Sequence, residues 1–324
     1  MALQRAVVSM RAAFYHRPVM VEQVLQALAP GLDRGLAPRS GSVLIDATLG
    51  EGGHADAILG SAQGVRLLGL DPDSQAIASA TQRLERFGAA FVAANTSYTR
   101  MNSVARAHGF YPADGVLFDL GLSSLQLEGE GRGFSFQRTE PLDMRFDPRQ
   151  ELTADSVVNS LHREELARII QEYGEEPRAN AIARAIVERR PIRDTQALAE
   201  TVERAVGGRR GRIHPATRTF QAIRVYVNDE LEALATGLQQ AMDTLRPGGR
   251  LAVISYHSLE DRLVKGALRQ ESRDCVCPPR TPVCICGHVA TLRLVNRKVI
   301  VPTEEEVRSN PRSRSARMRV AERL

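Results

Sequence analysis

Short apolar runs alternate with segments of helical spacing along this chain, and this alternation constrains its fold most strongly. The runs span residues 42–47, 65–70, 90–93, 115–120 and 250–256. Short apolar runs bounded by turn residues are typical of strands that are buried on both faces of a parallel sheet. Because helical segments separate them, the pattern predicts a doubly wound α/β fold.

The alternation is interrupted once, after the fourth apolar run. Residues 127–150 are polar and rich in glycine, and from about 155 to 206 apolar residues recur at helical spacing without a strand candidate. We therefore predict an all-helical insertion over residues 127–228.

The flanking segments are expected to form one α/β domain over residues 15–126 and 229–324. Residues 1–14 are interpreted as a short N-terminal extension rather than a signal peptide, because they hold no sustained apolar core. Residues 308–324 contain six arginines and one glutamate, which predicts a basic tail.

The charge balance of the chain favours polyanionic partners. Its formal net charge is +5 and its isoelectric point about 9.3, and lysine and arginine displace counterions from phosphates. A basic surface without any role in nucleic-acid binding is the alternative.

No apolar run approaches the roughly 20 residues of a membrane span, so no membrane partner is expected. All four cysteines fall between residues 275 and 286, which indicates a reducing cytoplasm rather than a disulfide-stapled secreted protein.

A glycine-rich turn, Leu49-Gly-Glu-Gly-Gly-His54, follows the first apolar run and precedes a helical segment. Such a turn lets the backbone approach a ligand closely at a helix N-terminus. Taken alone, it is compatible with a tight structural loop or with a site for NAD, FAD or S-adenosylmethionine.

Asp71 narrows this choice because it ends the second apolar run. An acid at this position can accept hydrogen bonds from both ribose hydroxyls of a nucleoside cofactor, and it disfavours the 2′-phosphate of NADP. The alternative is that Asp71 caps the helix that begins after Pro72.

The fourth apolar run favours S-adenosylmethionine over NAD. It ends in Asp119-Leu-Gly-Leu-Ser-Ser124, an acid followed by small and polar residues. Methyltransferases of this architecture place the acceptor of a substrate amine at this strand end. A hydride-transfer enzyme more often shows a catalytic Lys, Tyr or His in this region.

Further motifs follow one another in order along the chain. They are His16-Arg-Pro-Val-Met20, Asp46 with Gly52-Gly53-His54, Asp119-Leu-Gly-Leu-Ser-Ser-Leu-Gln126, Arg132-Gly-Phe-Ser-Phe136, Pro141-Leu-Asp-Met-Arg145, Tyr173-Gly-Glu-Glu176, Ile182-Ala-Arg-Ala-Ile186, His214-Pro-Ala-Thr-Arg-Thr-Phe-Gln221, Ser255-Tyr-His-Ser-Leu-Glu-Asp261 and Asn310-Pro-Arg-Ser-Arg-Ser315. With these motifs the chain resembles the RsmH (MraW) family, methyltransferases of cytosine N4 in the ribosomal RNA of the small subunit.

The resemblance implies a Rossmann-like class I methyltransferase sheet with an inserted all-helical domain for substrate recognition. It also implies S-adenosylmethionine as the cofactor and 16S ribosomal RNA of the small subunit as the partner. The implied cofactor contacts are Gly52, Gly53, His54, Asp71, Asp119 and Gln126. In the family an aromatic residue after the third strand contacts the adenine, and Tyr98 is the expected equivalent.

The chemistry of this reaction makes Asp119 the candidate catalytic residue, with nearby backbone carbonyls as further candidate acceptors. The N4 amine of cytosine is a poor nucleophile, so an acceptor must take its hydrogens while it is held in line with the methyl group. The alternative is that Asp119 serves only the amino group of the cofactor, and the sequence leaves both roles open.

Three residues of the matching motifs are candidates for the substrate pocket: His214, Arg218 and His257. For each histidine the alternative is a structural role. The loop Arg209-Arg210-Gly-Arg212 is a candidate for gripping phosphates, with a solvated loop as the alternative.

The cysteines form two close pairs, Cys275-Val-Cys277 and Cys284-Ile-Cys286. Two such pairs can hold a tetrahedral zinc ion, although Cys-x-Cys is tighter than the common Cys-x-x-Cys spacing. Free thiols or a disulfide are the alternative, and no catalytic metal is expected.

Two other functions are compatible with parts of this pattern. A DNA amino-methyltransferase shares the chemistry, but usually carries an Asn/Asp-Pro-Pro-aromatic motif where this chain has Asp119-Leu-Gly-Leu. A ribosome-assembly factor with a dead cofactor pocket would not need intact Gly52, Gly53, Asp71 and Asp119. The sequence leaves the oligomeric state open between monomer and homodimer.

Overall fold

Seven strands form one mixed sheet in this computed structural model, which describes residues 18–29, 40–129, 131–209, 211, 214–278, 281 and 283–324. The strand order is β3-β2-β1-β4-β5-β7-β6. The strands are β1 (Val43–Asp46), β2 (Arg66–Asp71), β3 (Phe91–Asn95), β4 (Ala113–Asp119), β5 (Leu245–Ser255), β6 (Leu292–Leu294) and β7 (Arg317–Arg323). The first five are mutually parallel, and β7 is antiparallel to both of its neighbours. The predicted α/β class is therefore confirmed.

The helices fall into two groups along the chain. Those in the parts of the chain that form the sheet are α1 (Val21–Leu28), α2 (Gly53–Ser61), α3 (Ser74–Leu84), α4 (Met101–His108), α5 (Ser124–Glu128), α11 (Glu230–Thr244), α12 (Ser258–Glu271) and α13 (Glu304–Ser309). Those between α5 and α11 are α6 (Ala154–Ser160), α7 (Arg163–Gly174), α8 (Ala179–Glu188), α9 (Thr195–Ala205) and α10 (Ala216–Val227). Among the described helices, none has the length and apolar composition that a bilayer crossing requires.

Each face of the sheet is covered by its own apolar core. One core joins Ile45 and Val116 to residues of α4, α11 and α12, such as Leu238. The other joins Leu44 and Leu67 to residues of α1, α2 and α3. This two-sided burial explains why the strands are continuous apolar runs rather than alternating ones.

The helices α6 to α10 pack around a separate core, which includes Val157, Ile170, Ile182 and Ile223. The buried residues of this core all lie between Phe134 and Val227. We call this group of helices the helical unit. The predicted extension at residues 1–14 lies outside the described residues.

The prediction of a basic tail at the C-terminus is wrong for its last part, because β7 is inserted between β5 and β6. Met318 and Val320 are buried in one core, while Arg319 is neutralised on the other side. The guanidinium of Arg319 donates to both carboxylate oxygens of Asp261 in α12, at 2.7 and 3.0 Å. Paired arginines can therefore alternate with buried residues along an internal strand.

Candidate active site

A cavity of about 710 Å³ lies where the carboxyl ends of β1, β2, β4 and β5 meet the helical unit. The sheet side of its wall includes Thr48, Gly50, Gly53, His54, Asp71, Tyr98, Asp119, Gln126, Tyr256 and His257. The helical unit and the segment leading to it contribute Phe134, Phe136, Met144, Phe146, Thr217, Phe220, Gln221 and Arg224. Ligands of open α/β sheets bind at this edge, near the point where the strand order reverses.

The glycine turn closes the β1 side of the cavity. Gly50 and Gly52 have positive φ values of 51° and 75°, which residues with a side chain rarely adopt. A Cβ atom on Gly53 would lie 2.6 Å from Cγ of Pro18, so the turn has no room for a side chain there. Gly50 and Gly53 line the cavity, and Gly52 instead packs against Ala80 and Leu84.

Asp71 ends β2 beside this turn and is buried. Its carboxylate accepts the backbone N–H groups of Gly50 and Asp73, both at 2.9 Å. Burial raises the pKa of Asp71 to about 7, although the two N–H groups oppose the shift. Asp73, not Asp71, is the N-cap of α3, because its side chain accepts the N–H of Gln75. The capping alternative for Asp71 is therefore wrong.

Asp119 ends β4 and is held by its neighbours in a fixed orientation. Its Oδ1 accepts a hydrogen bond of 2.7 Å from the hydroxyl of Tyr256. Its Oδ2 lies 3.4 Å from Nδ1 of His54, whose Nε2 is 2.8 Å from the carbonyl oxygen of Val19. The side chain of Asp119 is 24% exposed, so it is accessible from the cavity while both oxygens have contacts.

Asp46 is a further acid behind this group, at the end of β1. It is buried, and desolvation raises its pKa to about 6, against the attraction of His54. The ends of three adjacent strands therefore place Asp46, Asp71 and Asp119 at one edge of the sheet. Carboxyl groups at such an edge can accept hydrogen bonds from hydroxyl, ammonium or amine groups.

Tyr98 and Gln126, the remaining predicted cofactor contacts, also line the cavity. Tyr98 follows β3 and contacts Phe118 edge-on, with ring centroids 5.3 Å apart. Burial raises the pKa of Tyr98 above the ordinary value of a tyrosine, so its hydroxyl is protonated at neutral pH. Gln126 is buried, and it forms a capping box with Ser123 at the start of α5.

His257 is the one predicted substrate-pocket residue that lines the cavity. It is the N-cap of α12, and its Nε2 lies 3.1 Å from Oε1 of Glu260. Glu260 is itself buried, and its Oε2 accepts the backbone N–H of Tyr256 at 2.8 Å. Glu260 therefore fixes both Tyr256 and His257 at the end of β5.

His214 and Arg218 are placed beside the cavity rather than on its wall. The ring of His214 packs on Phe136, with centroids 4.7 Å apart, and its Nε2 lies 3.6 Å from a carboxylate oxygen of Glu203. Arg218 faces the end of α7, where it donates to the carbonyl oxygen of Glu175 and lies 3.8 Å from a carboxylate oxygen of Glu176. Of the arginine loop, Arg210 and Arg212 lie outside the described residues.

Sequence reasoning missed several residues of the cavity wall, including Tyr256 and a buried ion pair. Arg224 donates to both carboxylate oxygens of Glu230, at 2.7 and 2.8 Å. Glu230, His257 and Glu260 bring one potential metal ligand each within 4.8 Å of one another. Since the guanidinium of Arg224 already occupies both oxygens of Glu230, we assign no metal to this group. The Ser255-Tyr-His257 motif was the available signal for Tyr256.

These features fit a nucleoside cofactor that carries a charged amino acid. The glycine turn leaves room for close backbone approach, and the buried carboxylate of Asp71 retains acceptor capacity for a ribose. Tyr98 offers an aromatic edge beside it on the cavity wall. Together with the strand order, this site defines a class I methyltransferase that depends on S-adenosylmethionine.

The chain belongs to the MraW methylase family, whose family model matches residues 13–324. It is 51% identical over 310 residues to the ribosomal RNA small subunit methyltransferase H of Dehalococcoides mccartyi, covering 95% of this chain and 86% of the relative. It is 52% identical over 313 residues to the protein of that name from Thermomicrobium roseum, covering 95% and 94%. The Carboxydothermus hydrogenoformans protein is 46% identical over 315 residues, covering 96% and 98%. The family resemblance drawn from the motifs is confirmed.

Proposed function

We propose that this enzyme transfers a methyl group from S-adenosylmethionine to the exocyclic N4 of a cytidine in 16S ribosomal RNA, in the cytoplasm. The observation that carries the proposal is the position of Asp119, which is oriented by Tyr256 on the wall of the cavity. The names and identities of the relatives across nearly the whole chain support ribosomal RNA of the small subunit as the substrate.

The β1–β2 side of the cavity is the proposed cofactor site. Asp71 would accept the ribose hydroxyls, Tyr98 would contact the adenine, and the turn at Gly50–Gly53 would lie against the amino-acid part. His54, Gln126 and Asp119 also line the cavity and, with Gly52 in the turn, belong to the proposed set of cofactor contacts. When bound, S-adenosylmethionine supplies an electrophilic methyl group on a sulfonium centre.

The helical unit is the proposed substrate side. The helical unit and the segment leading to it contribute aromatic side chains to the wall: Phe134, Phe136, Phe146 and Phe220. A base that is splayed out of folded RNA stacks on such side chains and is read through its edge by polar groups. Thr217, Gln221 and Arg224 lie on the same helix as Phe220 and provide those groups.

Asp119 has the chemistry that the acceptor amine requires. The lone pair of a cytosine amine is delocalised into the ring, so the amine attacks the methyl group only when its hydrogens are held by acceptors. The N–C bond then forms as the methyl–sulfur bond breaks, and one of the two amine protons leaves. A carboxylate that accepts those hydrogens localises the lone pair and favours loss of the proton. The hydroxyl of Tyr256 donates to one oxygen of this carboxylate, and Nδ1 of His54 lies 3.4 Å from the other, so both neighbours orient it towards the cavity.

Methyl transfer from labelled cofactor separates this function from its rivals. The enzyme and S-adenosylmethionine are incubated separately with each of three substrates. These are purified small ribosomal subunits that lack the modification, naked 16S RNA and duplex DNA. The proposal expects label in the ribosomal substrates and none in DNA. Label in DNA would indicate an amino-methyltransferase of DNA, and binding of subunits without transfer would indicate an assembly factor.

A further inference from the structure

Four thiols converge in the segment that links α12 to β6, and none of the described residues of this segment lines the cavity. The Sγ atoms of Cys275, Cys277, Cys284 and Cys286 all lie within 4.8 Å of one another. The Sγ separations are 3.9 Å for Cys277 and Cys284, 3.5 Å for Cys284 and Cys286, and 3.9 Å for Cys286 and Cys275. These are all of the cysteines in the chain.

The sulfur separations match a tetrahedral metal site. A zinc–sulfur distance of about 2.3 Å requires sulfur atoms about 3.8 Å apart at the corners of a tetrahedron. A disulfide requires about 2.05 Å, and the four cysteines are free thiols here. The two Cys-x-Cys pairs approach from opposite ends of the intervening loop, so each pair supplies two corners.

The described residues of this segment form no apolar core of their own. Between residues 272 and 290, none of the described residues is buried. Val283 and Ile285 are instead 72% and 85% exposed, although valine and isoleucine are usually buried. A connection of this length, in which the described residues form no helix or strand, needs another source of order. Metal binding supplies folding free energy directly in such segments.

Backbone contacts around the thiols have the form expected of a metal site. The N–H of Val276 donates to Sγ of Cys286 at 3.4 Å, and a thiolate accepts such bonds more strongly than a thiol. His288 lies two residues beyond but points elsewhere, with Nδ1 donating to the carbonyl oxygen of Arg273 at 2.8 Å. The N–H of Ala290 donates to the side chain of Asp274, so both ends of the segment are tied together.

We propose that Cys275, Cys277, Cys284 and Cys286 bind one zinc ion with a structural role. The ligand set is four thiolates, which selects zinc among the common divalent cations and leaves no position for water or substrate. The ion orders the segment from 272 to 291 and thereby fixes the entry into β6, at the edge of the sheet. It takes no part in methyl transfer, because none of the four cysteines lines the cavity.

The metal content of the full chain tests this site directly. The protein is purified under reducing conditions without chelator, and its zinc content is measured by elemental mass spectrometry. We expect about one zinc ion per chain. Cobalt exchanged into the site should give the visible and charge-transfer bands of a tetrahedral thiolate complex. The double variant Cys277→Ser with Cys284→Ser should lose the metal, and Cys284→His, which keeps a ligand, should retain it.

Val283→Ser is the matched control, because it alters an exposed side chain next to Cys284 and should leave the zinc content unchanged. Should the serine variant fail to fold, chelation of the native enzyme followed by hydrogen exchange gives the answer. Exchange should then rise in residues 272–291 and remain unchanged in β1, β2 and β4. Four titratable thiols without metal, two disulfides, or zinc that persists in the serine variant would each overturn the proposal.

Discussion

The hydroxyl of Tyr256 donates a hydrogen bond of 2.7 Å to Oδ1 of Asp119, and this bond joins the ends of two adjacent strands, β5 and β4. Burial, reinforced by the negative charge of Asp119, raises the pKa of Tyr256 well above its ordinary value. The phenol is therefore protonated at neutral pH and acts as a donor there. Asp119 thus presents an oriented carboxylate to the cavity.

Removal of this donor should impair turnover more than cofactor binding. In Tyr256→Phe, Asp119 loses a hydrogen bond to a charged group, worth about 1.5–3 kcal/mol, so we expect kcat to fall about 10-fold to 100-fold. Tyr226→Phe is the control, because Tyr226 lies off the cavity wall and contacts Glu165 at 3.4 Å. An unchanged kcat with weaker cofactor binding would make Asp119 a ligand of the cofactor alone.

Cofactor affinity should depend on pH through Asp71. The raised pKa of about 7 means that the free enzyme holds a proton on Asp71 below neutrality. Ribose hydroxyls need an acceptor, so affinity should rise with pH until this proton is lost. Asp71→Asn should bind S-adenosylmethionine more weakly and remove most of the pH dependence, as measured by calorimetry from pH 5.5 to about 8.5.

The same carboxyl group should affect stability with the opposite sign. Because its pKa is raised from 3.8 to about 7 by folding, the folded state binds the proton more tightly than the unfolded state. The contribution of Asp71 to the free energy of unfolding is therefore largest below pH 3.8 and declines as the pH rises towards about 7. Relative to the native enzyme, Asp71→Asn should gain stability across this range. Asp46, with a pKa of about 6, should contribute to the pH dependence that remains in the variant.

The position of Tyr98 depends on a glycine in α11. A Cβ atom on Gly237 would lie 2.5 Å from Cδ2 of Tyr98, so Gly237→Ala must displace the ring. We expect weaker cofactor binding and reduced stability. Gly266→Ala in α12 is the matched control, because a Cβ there meets nothing within 4 Å. It should stabilise the helix by about 0.5–1 kcal/mol. Equal cofactor affinity in both variants would remove Tyr98 from the proposed site.

The cofactor side of the cavity could be predicted because strand ends are marked in the sequence. An apolar run that stops at an acid predicts both a buried strand and a polar group at its carboxyl end. Asp71 and Asp119 therefore lie at the expected edge of the sheet. The strand β7 was missed because its arginines conceal the alternation of buried residues, and their partner, Asp261, is distant in sequence.

The substrate side could not be predicted at the level of single residues. Both faces of α10 are covered, one by the core of the helical unit and one by the cavity wall. Thr217, Gln221 and Arg224 follow the helical repeat along the cavity face. Arg218 is one residue from Thr217, about 100° around the helix, and so it faces Glu176 instead. The sequence motif does not specify which face meets the cavity.

The arginine loop should contribute to RNA binding through its charge. Replacing Arg209, Arg210 and Arg212 by alanine should weaken binding of small ribosomal subunits and reduce its salt dependence, because fewer counterions are released. Affinity for S-adenosylmethionine should remain unchanged. A loss of cofactor affinity with normal RNA binding would contradict the assignment of this loop to the substrate side.

The nucleoside that carries the new methyl group tests the central claim most directly. Small ribosomal subunits that lack the modification are treated with native enzyme or with Asp119→Ala, and the digested 16S RNA is analysed by mass spectrometry. We expect N4-methylcytidine at one position with the native enzyme. With Asp119→Ala we expect the amount of N4-methylcytidine to fall by about 100-fold or more, since a positioned acid–base group contributes about 10²–10⁴-fold to the rate. Methyl on adenine N6 or cytosine C5, or equal N4 methylation by Asp119→Ala, would contradict the proposed reaction.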